Sequence, residues 1–258
     1  MKVSKNKLKN FASLIYRLSE PLFNPKKTIK GVPLYINYIK DWIRYSQLEN
    51  NEKLRIKNAF PCIYDKTKTT SIDTHYFYQD IWAFKKILKS KAKKHIDVGS
   101  RIYFVGVLTA ITKVIFIDIR PLVTNLNNFE SRKGNILTLP FEDNSIKSLS
   151  CLHVAEHIGL GRYGDTLDPR GSIKACEELQ RVLAKKGNLY FSLPVGKPRT
   201  CFNAHRVHSP RQILRYFDEL KLIEFSGIDD NGRYIENIDT DVLEKSNYAC
   251  GLFHFRKE

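Results

Sequence analysis

The sequence of 258 residues lacks any long apolar stretch. Its longest apolar run, residues 103–111, is interrupted by Gly106 and Thr109 and is far shorter than the roughly 20 residues that a membrane-spanning helix needs. The first residues include lysines but no apolar core and no small-residue cleavage site, so we expect no signal peptide. These absences predict a cytoplasmic protein without a transmembrane segment.

Cysteine is also sparse, and its spacing is uninformative. The five cysteines are widely separated and form no C-x-x-C pair. This pattern excludes a zinc knuckle and a disulfide framework, and it suits a reducing compartment. We therefore predict no metal site. The cysteines are Cys62, Cys151, Cys176, Cys201 and Cys250.

Acidic residues are few, with 27 Asp and Glu against 43 Lys and Arg and a net charge of +16. Residues 1–60 hold 13 of the basic residues and 4 of the acidic ones, so more than half of the excess lies in less than a quarter of the chain. This segment is either a solvated basic face or a docking surface for nucleic acid, phospholipid headgroups or a phosphorylated substrate. A content of 42% hydrophobic and 12% aromatic residues excludes disorder, collagen and coiled coil as classes for the whole chain.

The N-terminal quarter has helical periodicity. Residues 1–20 predict a basic amphipathic helix that contacts a membrane surface peripherally, because apolar residues recur at helical spacing among lysines. Residues 34–58 and 76–88 predict two further helices. We therefore divide the chain into a basic, mainly helical extension, 1–74, and a domain that spans 75–258.

From residue 94 onward, short buried strands alternate with helical segments. This alternation predicts an α/β fold, with a parallel sheet and a crevice at the carboxyl ends of its strands. The predicted strands are 95–98, 113–118, one ending at 134–136, 148–152, 188–194, 221–227 and 248–256, with helices at 172–183 and 210–220.

Several motifs resemble class I S-adenosylmethionine (SAM) methyltransferases. They are DVGS (97–100), an acidic strand end at Asp118, GNILTLPFEDNSI (134–146), LHVAEHI (152–158) and ELQRVLAKKGNLYFSLP (178–194). More narrowly, HYFYQDIWA (75–83), EHIGLGRYGDTLDPRG (156–171) and FNAHRVHSP (202–210) resemble a little-characterised methyltransferase-like family of bacterial capsule and lipopolysaccharide gene clusters. The resemblance implies a Rossmann-like, seven-stranded, mostly parallel sheet with helices on both faces.

The resemblance also implies SAM as cofactor. Asp118, at a strand end, is expected to accept both ribose hydroxyls, and Gly99 is expected to let the backbone approach the methionine portion. The first turn lacks the second and third glycines of the family pattern G-x-G-x-G. The full set of expected cofactor residues is Asp97, Gly99, Ser100, Asp118, Asn135, Ile136, His153 and Tyr78.

The expected catalytic residues are His157, His205 and Glu156. Methyl transfer to a hydroxyl needs a base for the acceptor proton, and an imidazole oriented by Glu156 is suited to that role. His153, Glu156 and His157 also spell H-x-x-E-H, an inverted zinc-protease signature. We reject that interpretation because the motif follows a strand directly and meets two glycines within one turn.

The expected substrate residues lie in two segments that follow strands. The glycine-rich loop 159–171 carries both charges, and Arg suits phosphate whereas carboxylates suit sugar hydroxyls. An internally paired surface loop, or a divalent metal on Asp165 and Asp168, are the alternatives. The set is Arg162, Tyr163, Asp165, Asp168 and Arg170 from this loop, with Asn203 and Arg206 from the second segment.

These features predict a SAM-dependent O-methyltransferase. The resemblance implies that the acceptor is a sugar hydroxyl, on a nucleotide-activated sugar such as a heptose, for a surface polysaccharide. Two alternatives remain: a non-catalytic SAM-fold scaffold of a polysaccharide assembly complex, and an RNA methyltransferase. We expect no nucleic-acid partner, because the basic residues cluster in the extension without an RNA-binding motif.

Overall fold

A computed structural model describes residues 24–48 and 54–258. It divides into two compact units, residues 1–71 and residues 72–258. The helix predicted over residues 1–20 lies outside the described residues. No helix among those that are described is both long and apolar enough to cross a membrane.

In the N-terminal unit, the main element is helix α1 (Pro25–Ser46), and a short 3-10 helix follows at Ile56–Asn58. The Asn24 side chain caps α1 by accepting a hydrogen bond from the Lys27 amide at 2.9 Å, and the fixed φ of Pro25 suits the first helical turn. The helix predicted over 34–58 is wrong at both ends, because α1 begins at Pro25 and ends at Ser46. Apolar residues at alternating spacings of three and four along α1 are all at least 46% exposed: Ile29, Val32, Ile36, Ile39 and Ile43.

The C-terminal unit is built on an eight-stranded sheet of order β3-β2-β1-β4-β5-β10-β8-β9. The first five strands in this order are parallel, and β10 runs antiparallel between β5 and β8. The predicted α/β fold is confirmed, and the eighth strand is a two-residue edge strand. The strands are β1 (Lys94–Val98), β2 (Lys113–Asp118), β3 (Phe129–Lys133), β4 (Ile146–Leu152), β5 (Leu183–Val195), β8 (Leu220–Ile228), β9 (Tyr234–Ile235) and β10 (Ala249–Lys257), with a separate hairpin of β6 (Arg199–Cys201) and β7 (His205–Val207).

Helices cover both faces of this sheet, as predicted. Successive β2 residues alternate between two cores, one on each face of the sheet: Ile115 packs in the first and Phe116 in the second. The helix over Ile102–Leu108 was not predicted, because its short apolar run shows no polar face. The helices are α2 (Thr74–Ser90), α3 (Ile102–Leu108), α4 (Gly171–Val182), α5 (Pro210–Tyr216) and α6 (Asp241–Glu244).

The carboxyl ends of β1, β2 and β4 lie side by side, because these strands are parallel neighbours in the sheet. The predicted third strand is corrected by the structure: β3 ends at Lys133, and residues 134–136 form the turn that follows it. The turns that follow β1, β2, β3 and β4 therefore all lie at this edge of the sheet. Ligands bind at this edge in open α/β sheets.

Candidate functional site

The turn after β1 is tight because Gly99 adopts a φ of +70°. A Cβ atom at this position would lie 3.1 Å from Val154 Cγ1. Asp97, fully buried beneath the turn, accepts hydrogen bonds from the Ser100 amide at 3.0 Å and from the Ser150 hydroxyl. Burial raises the pKa of Asp97 to about 6. Asp97 therefore shapes the turn from below and lines none of the cavities described here.

A cavity of about 610 Å³ lies over the ends of β1, β2 and β4. The carboxylate of Asp118 lines it, and its Oδ1 accepts a hydrogen bond from the Arg120 amide at 2.7 Å. Asn135, Ile136 and His153 contribute to the wall. We call this space the strand-end cavity.

The glycine-rich loop 159–171 forms the opposite wall of the strand-end cavity. Asp165 holds the loop in shape by accepting hydrogen bonds from three backbone amides, those of Gly159, Gly161 and Tyr163. The Tyr163 ring contacts two guanidinium groups, with its centroid 4.8 Å from that of Arg120 and 5.1 Å from that of Arg162. These cation–π contacts connect the loop to the end of β2.

A smaller cavity of about 250 Å³ opens beside Gly99 and is lined by three histidines, His153, His157 and His205. The Nδ1 atom of His157 lies 2.6 Å from the Ala204 carbonyl oxygen, so this nitrogen carries the proton and donates it. The Nε2 atom of His157 is therefore the ring's lone-pair site. Burial lowers the pKa of His157 to about 4 and also lowers that of His205, so both rings are neutral at pH 7.

Glu156 borders the same small cavity and is 1% exposed. Its Oε1 atom lies 3.6 Å from His157 Nε2, and its Oε2 atom has no hydrogen-bond partner among the described residues. Burial raises the pKa of Glu156 to about 8, so this carboxyl is largely protonated at neutral pH. A neutral carboxyl beside His157 does not stabilise an imidazolium as a carboxylate would.

His153 follows β4 with a φ of +54°, a conformation that non-glycine residues rarely adopt. Its Nδ1 atom lies 2.7 Å from Gln79 Oε1, so the Nδ1–H group donates to the amide oxygen. Its Nε2 atom is buried and has no partner in the described part of the chain. Burial keeps the pKa of His153 well below its usual value.

Most predicted site residues lie in one of these two cavities, but five do not. Tyr78 stacks on Tyr234 at 5.5 Å, Arg170 is exposed and pairs with Glu177, and Asn203 lines none of the described cavities. Asp97 and Arg206 are buried and hold the backbone instead. The residues that do line the two cavities are Gly99, Ser100, Asp118, Asn135, Ile136, His153, Glu156, His157, Arg162, Tyr163, Asp165, Asp168 and His205.

Arg206 corrects a substrate-binding prediction, because the residue is 7% exposed and its guanidinium bonds internally. It donates to the carbonyl oxygens of Ile158 at 2.6 Å and Asp168 at 3.0 Å, and to the Ser172 hydroxyl at 3.2 Å. Replacing Arg206 with alanine removes three hydrogen bonds from a buried charged group, and we expect a loss of about 2–3 kcal/mol in the free energy of unfolding. Urea denaturation monitored by circular dichroism measures this loss in the free energy of unfolding.

The control for Arg206→Ala is Arg211→Ala, which removes an exposed ion pair with Asp241. We expect that variant to lose less than about 1 kcal/mol. Equal stability of the Arg206→Ala protein and the wild type would contradict the structural role.

A third cavity, of about 480 Å³, was not predicted. It is lined by Asp73, His75, Asp230 and Tyr248, together with His153. His75 and Tyr248 stack at 5.3 Å, and Cys250 lies close to the two histidines. These residues come from α2, from the turns beside β8, and from β10, so no local motif connects them in the sequence.

The comparisons with known proteins agree with this fold. Residues 98–249 match the family model described as "Caenorhabditis protein of unknown function, DUF268". No curated protein matches the chain. Among solved structures, the N-methyltransferase NodS from Bradyrhizobium japonicum WM9, with S-adenosyl-l-homocysteine, matches at a TM-score of 0.50 and 15% identity over 76% of this chain and 91% of NodS. A candidate sarcosine dimethylglycine methyltransferase from Galdieria sulphuraria matches at a TM-score of 0.51 and 13% identity, over 70% of this chain and 86% of that protein. The fold is that of the class I methyltransferases.

Proposed function

This chain belongs to the DUF268 family, and from the site described above we propose that it is a SAM-dependent methyltransferase. The matched segment contains every residue that lines the strand-end cavity, and all but Tyr76 of those that line the small histidine cavity. One observation carries the proposal. The Gly99 turn and the Asp118 carboxylate face a single cavity at adjacent strand ends, in the fold of class I methyltransferases.

The residues of the strand-end cavity fit SAM. Its volume of about 610 Å³ is in the usual range for a ligand of this size. Asp118 would hold the ribose hydroxyls, the main chain at Gly99 would approach the amino-acid end, and Asn135 and Ile136 would border the adenine. When bound, SAM supplies an electrophilic methyl group on a sulfonium, which needs no acid to leave.

The small histidine cavity would receive the acceptor. His157 is neutral there, and its donation to Ala204 directs the lone pair of Nε2 away from the backbone. We assign this nitrogen to take the proton that the acceptor loses. Arg162 lines the same cavity and supplies a positive charge for a phosphorylated group.

The proposed acceptor is a sugar hydroxyl, on a nucleotide-activated or phosphorylated sugar of a surface polysaccharide, and the reaction is placed in the cytoplasm. The mixed charges of the loop 159–171 support this substrate class. The sequence motifs that resemble polysaccharide-cluster proteins support it as well. A scaffold without activity is the alternative, since the first turn has only one glycine.

A mass-spectrometric assay tests the proposal. The protein is incubated with SAM and a panel of nucleotide sugars, and one product should gain the mass of one methylene. The Asp118→Ala variant serves as the matched negative control. Failure of SAM to bind in calorimetry would favour the scaffold, and steeply salt-dependent RNA binding would favour the RNA methyltransferase.

We further propose that residues 1–20 contact an anionic membrane. Deleting them should abolish co-sedimentation with vesicles that contain anionic lipid, because basic and apolar side chains both contribute to interfacial binding. Turnover of soluble acceptor should be retained, since the cavities lie in residues 72–258. Vesicles of neutral lipid are the control, and equal binding before and after the deletion would end the proposal.

A further inference from the structure

Three residues with metal-binding side chains converge beside the third cavity. His75 lies in the first turn of α2, His153 follows β4, and Cys250 lies on β10. One ring nitrogen of each histidine and the sulfur of Cys250 all lie within 4.8 Å of one another. Residues that are 78 and 97 positions apart in the sequence are thus brought to one point.

His153 is held in the tautomer that a metal ligand requires. Its Nδ1–H group donates to Gln79 Oε1, and the same oxygen accepts a hydrogen bond from the Ser192 hydroxyl at 2.5 Å. Gln79 is fully buried, and His153 is 9% exposed. A metal-bound histidine usually donates its second ring N–H to an oxygen in this way, which fixes the ring and leaves the other nitrogen free.

The free nitrogen is the unexplained group at this site. His153 Nε2 is buried and has no hydrogen-bond partner among the described residues. A buried polar atom without a partner is unfavourable, because it has lost its hydrogen bonds to water and gained none in return. A bound cation would satisfy this lone pair.

The surroundings favour a cation even though the chain as a whole is strongly basic. Asp73 and Asp230 line the cavity beside His75, and their charges act to raise the pKa of His75, although burial lowers it overall. Burial, with smaller contributions from Glu156 and Asp73, raises the pKa of the Cys250 thiol. The carboxylates of Asp73 and Asp230 would each interact favourably with a divalent ion.

We propose that His75, His153 and Cys250 bind a zinc ion whose fourth position faces the third cavity. Two imidazoles and one thiolate form a borderline-soft set that suits zinc, and three protein ligands with an open position are typical of catalytic rather than structural zinc. The sequence predicted no metal site, because none of these residues has ligand spacing.

Binding needs a small contraction and one proton transfer. Bonds of about 2.0–2.3 Å place tetrahedral ligand atoms roughly 3.3–3.7 Å apart, so a pair of ligand atoms at the 4.8 Å limit must approach by about 1 Å. His75 is only partly buried in the first turn of its helix, which leaves room for this movement. The Cys250 thiol releases its proton to solvent as the sulfur–zinc bond forms, and both histidines bind as neutral rings without any redox change.

Metal analysis of the full chain tests the site. After chelation and dialysis, the protein should bind one zinc per chain, measured by elemental mass spectrometry, and release one proton per zinc. Cobalt in place of zinc should give a thiolate charge-transfer absorption band. Cys250→Ser should abolish this band, and His75→Ala should keep the band while lowering zinc affinity by about a hundredfold.

The matched control is Cys176→Ser, which changes a buried cysteine of α4 outside the cluster and should keep both the zinc and the band. Gln79→Leu should lower the affinity about tenfold to a hundredfold if Gln79 orients His153. If Cys250→Ser fails to fold by circular dichroism, the less buried His75→Ala decides. Substoichiometric zinc, or unchanged affinity in a folded His75→Ala protein, overturns the proposal. The readout uses neither SAM nor an acceptor, so it is independent of methyl transfer.

Discussion

Replacing His157 with alanine is expected to lower kcat by at least about a hundredfold while the affinity for SAM stays nearly unchanged. A general base acts on the acceptor proton in the transition state, so its loss changes kcat rather than cofactor binding. His157 lies where β4 leads into the small histidine cavity, and its Nδ1–H donation to Ala204 leaves Nε2 as the proton acceptor. Single-turnover kinetics and calorimetry on the same variant separate the two quantities.

The pH profile gives a second test of this role. Burial lowers the pKa of His157 from 6.5 to about 4, so the ring is neutral and able to accept a proton throughout the neutral range. The rate should therefore stay constant from about pH 7 down to about pH 5 and fall as the pH passes through about 4. A fall centred near 6.5 would assign the proton to a less buried group.

The companion variant is His205→Ala, which should mainly raise the KM for the acceptor, because His205 lines the same cavity from the β6–β7 hairpin. His254→Gln, which changes a histidine hydrogen-bonded to Asn188 away from the cavities, is the matched control and should retain full activity. If His157→Ala and His205→Ala both keep normal kcat, neither histidine is the base. Asp165 would then be the next group to test, although three backbone amides already occupy its carboxylate.

The sheet and the strand-end cavity could be predicted because both follow from local patterns. The end of a strand, such as Asp118, is recognisable where a run of apolar residues stops at a polar residue. Parallel strands bring such ends together at one edge of the sheet. The order of motifs then placed Gly99, Asn135 and His153 around one cavity, and all three line it. The start of α1 was predicted less well: the prediction begins at residue 34, whereas the helix begins at Pro25, whose fixed φ suits the first helical turn.

The remaining residues were not predictable, because their roles depend on contacts between distant segments. Arg206 resembles a substrate-binding arginine in the sequence, yet its partners lie 34 to 48 residues away, on the loop 159–171 and at its two ends. Tyr78 stacks on a residue of β9, which packing alone determines. Cys250 is not at a metal-ligand spacing from any histidine in the sequence. It comes close to His75 and His153 through the fold, in which β10 lies antiparallel between β5 and β8, two strands that precede it in the chain.

Replacing Asp118 with alanine is expected to lower the affinity for SAM by about 2–3 kcal/mol, or roughly 30–150-fold, since it removes charge-assisted hydrogen bonds to the ribose hydroxyls. The Asp118 carboxylate lines the strand-end cavity, and its Oδ1 atom already accepts a hydrogen bond from the Arg120 backbone amide. Removing the side chain therefore also frees the start of the turn that carries Arg120 towards Tyr163. Isothermal titration calorimetry of SAM measures the loss.

Two further variants separate the direct contact from the effect on the turn. Asp118→Asn keeps the shape and one carbonyl oxygen for the Arg120 amide but removes the charge, so it should recover about half of the lost binding free energy. Tyr163→Ala removes the cation–π contacts of the loop while leaving the carboxylate, and should cost about 1 kcal/mol. Asp143→Ala, an exposed carboxylate that pairs with Arg181 outside the cavity, is the matched control and should bind SAM normally. Unchanged affinity in Asp118→Ala would remove Asp118 from the site, and a loss in Tyr163→Ala as large as that in Asp118→Ala would assign the binding energy to the loop instead of the strand end.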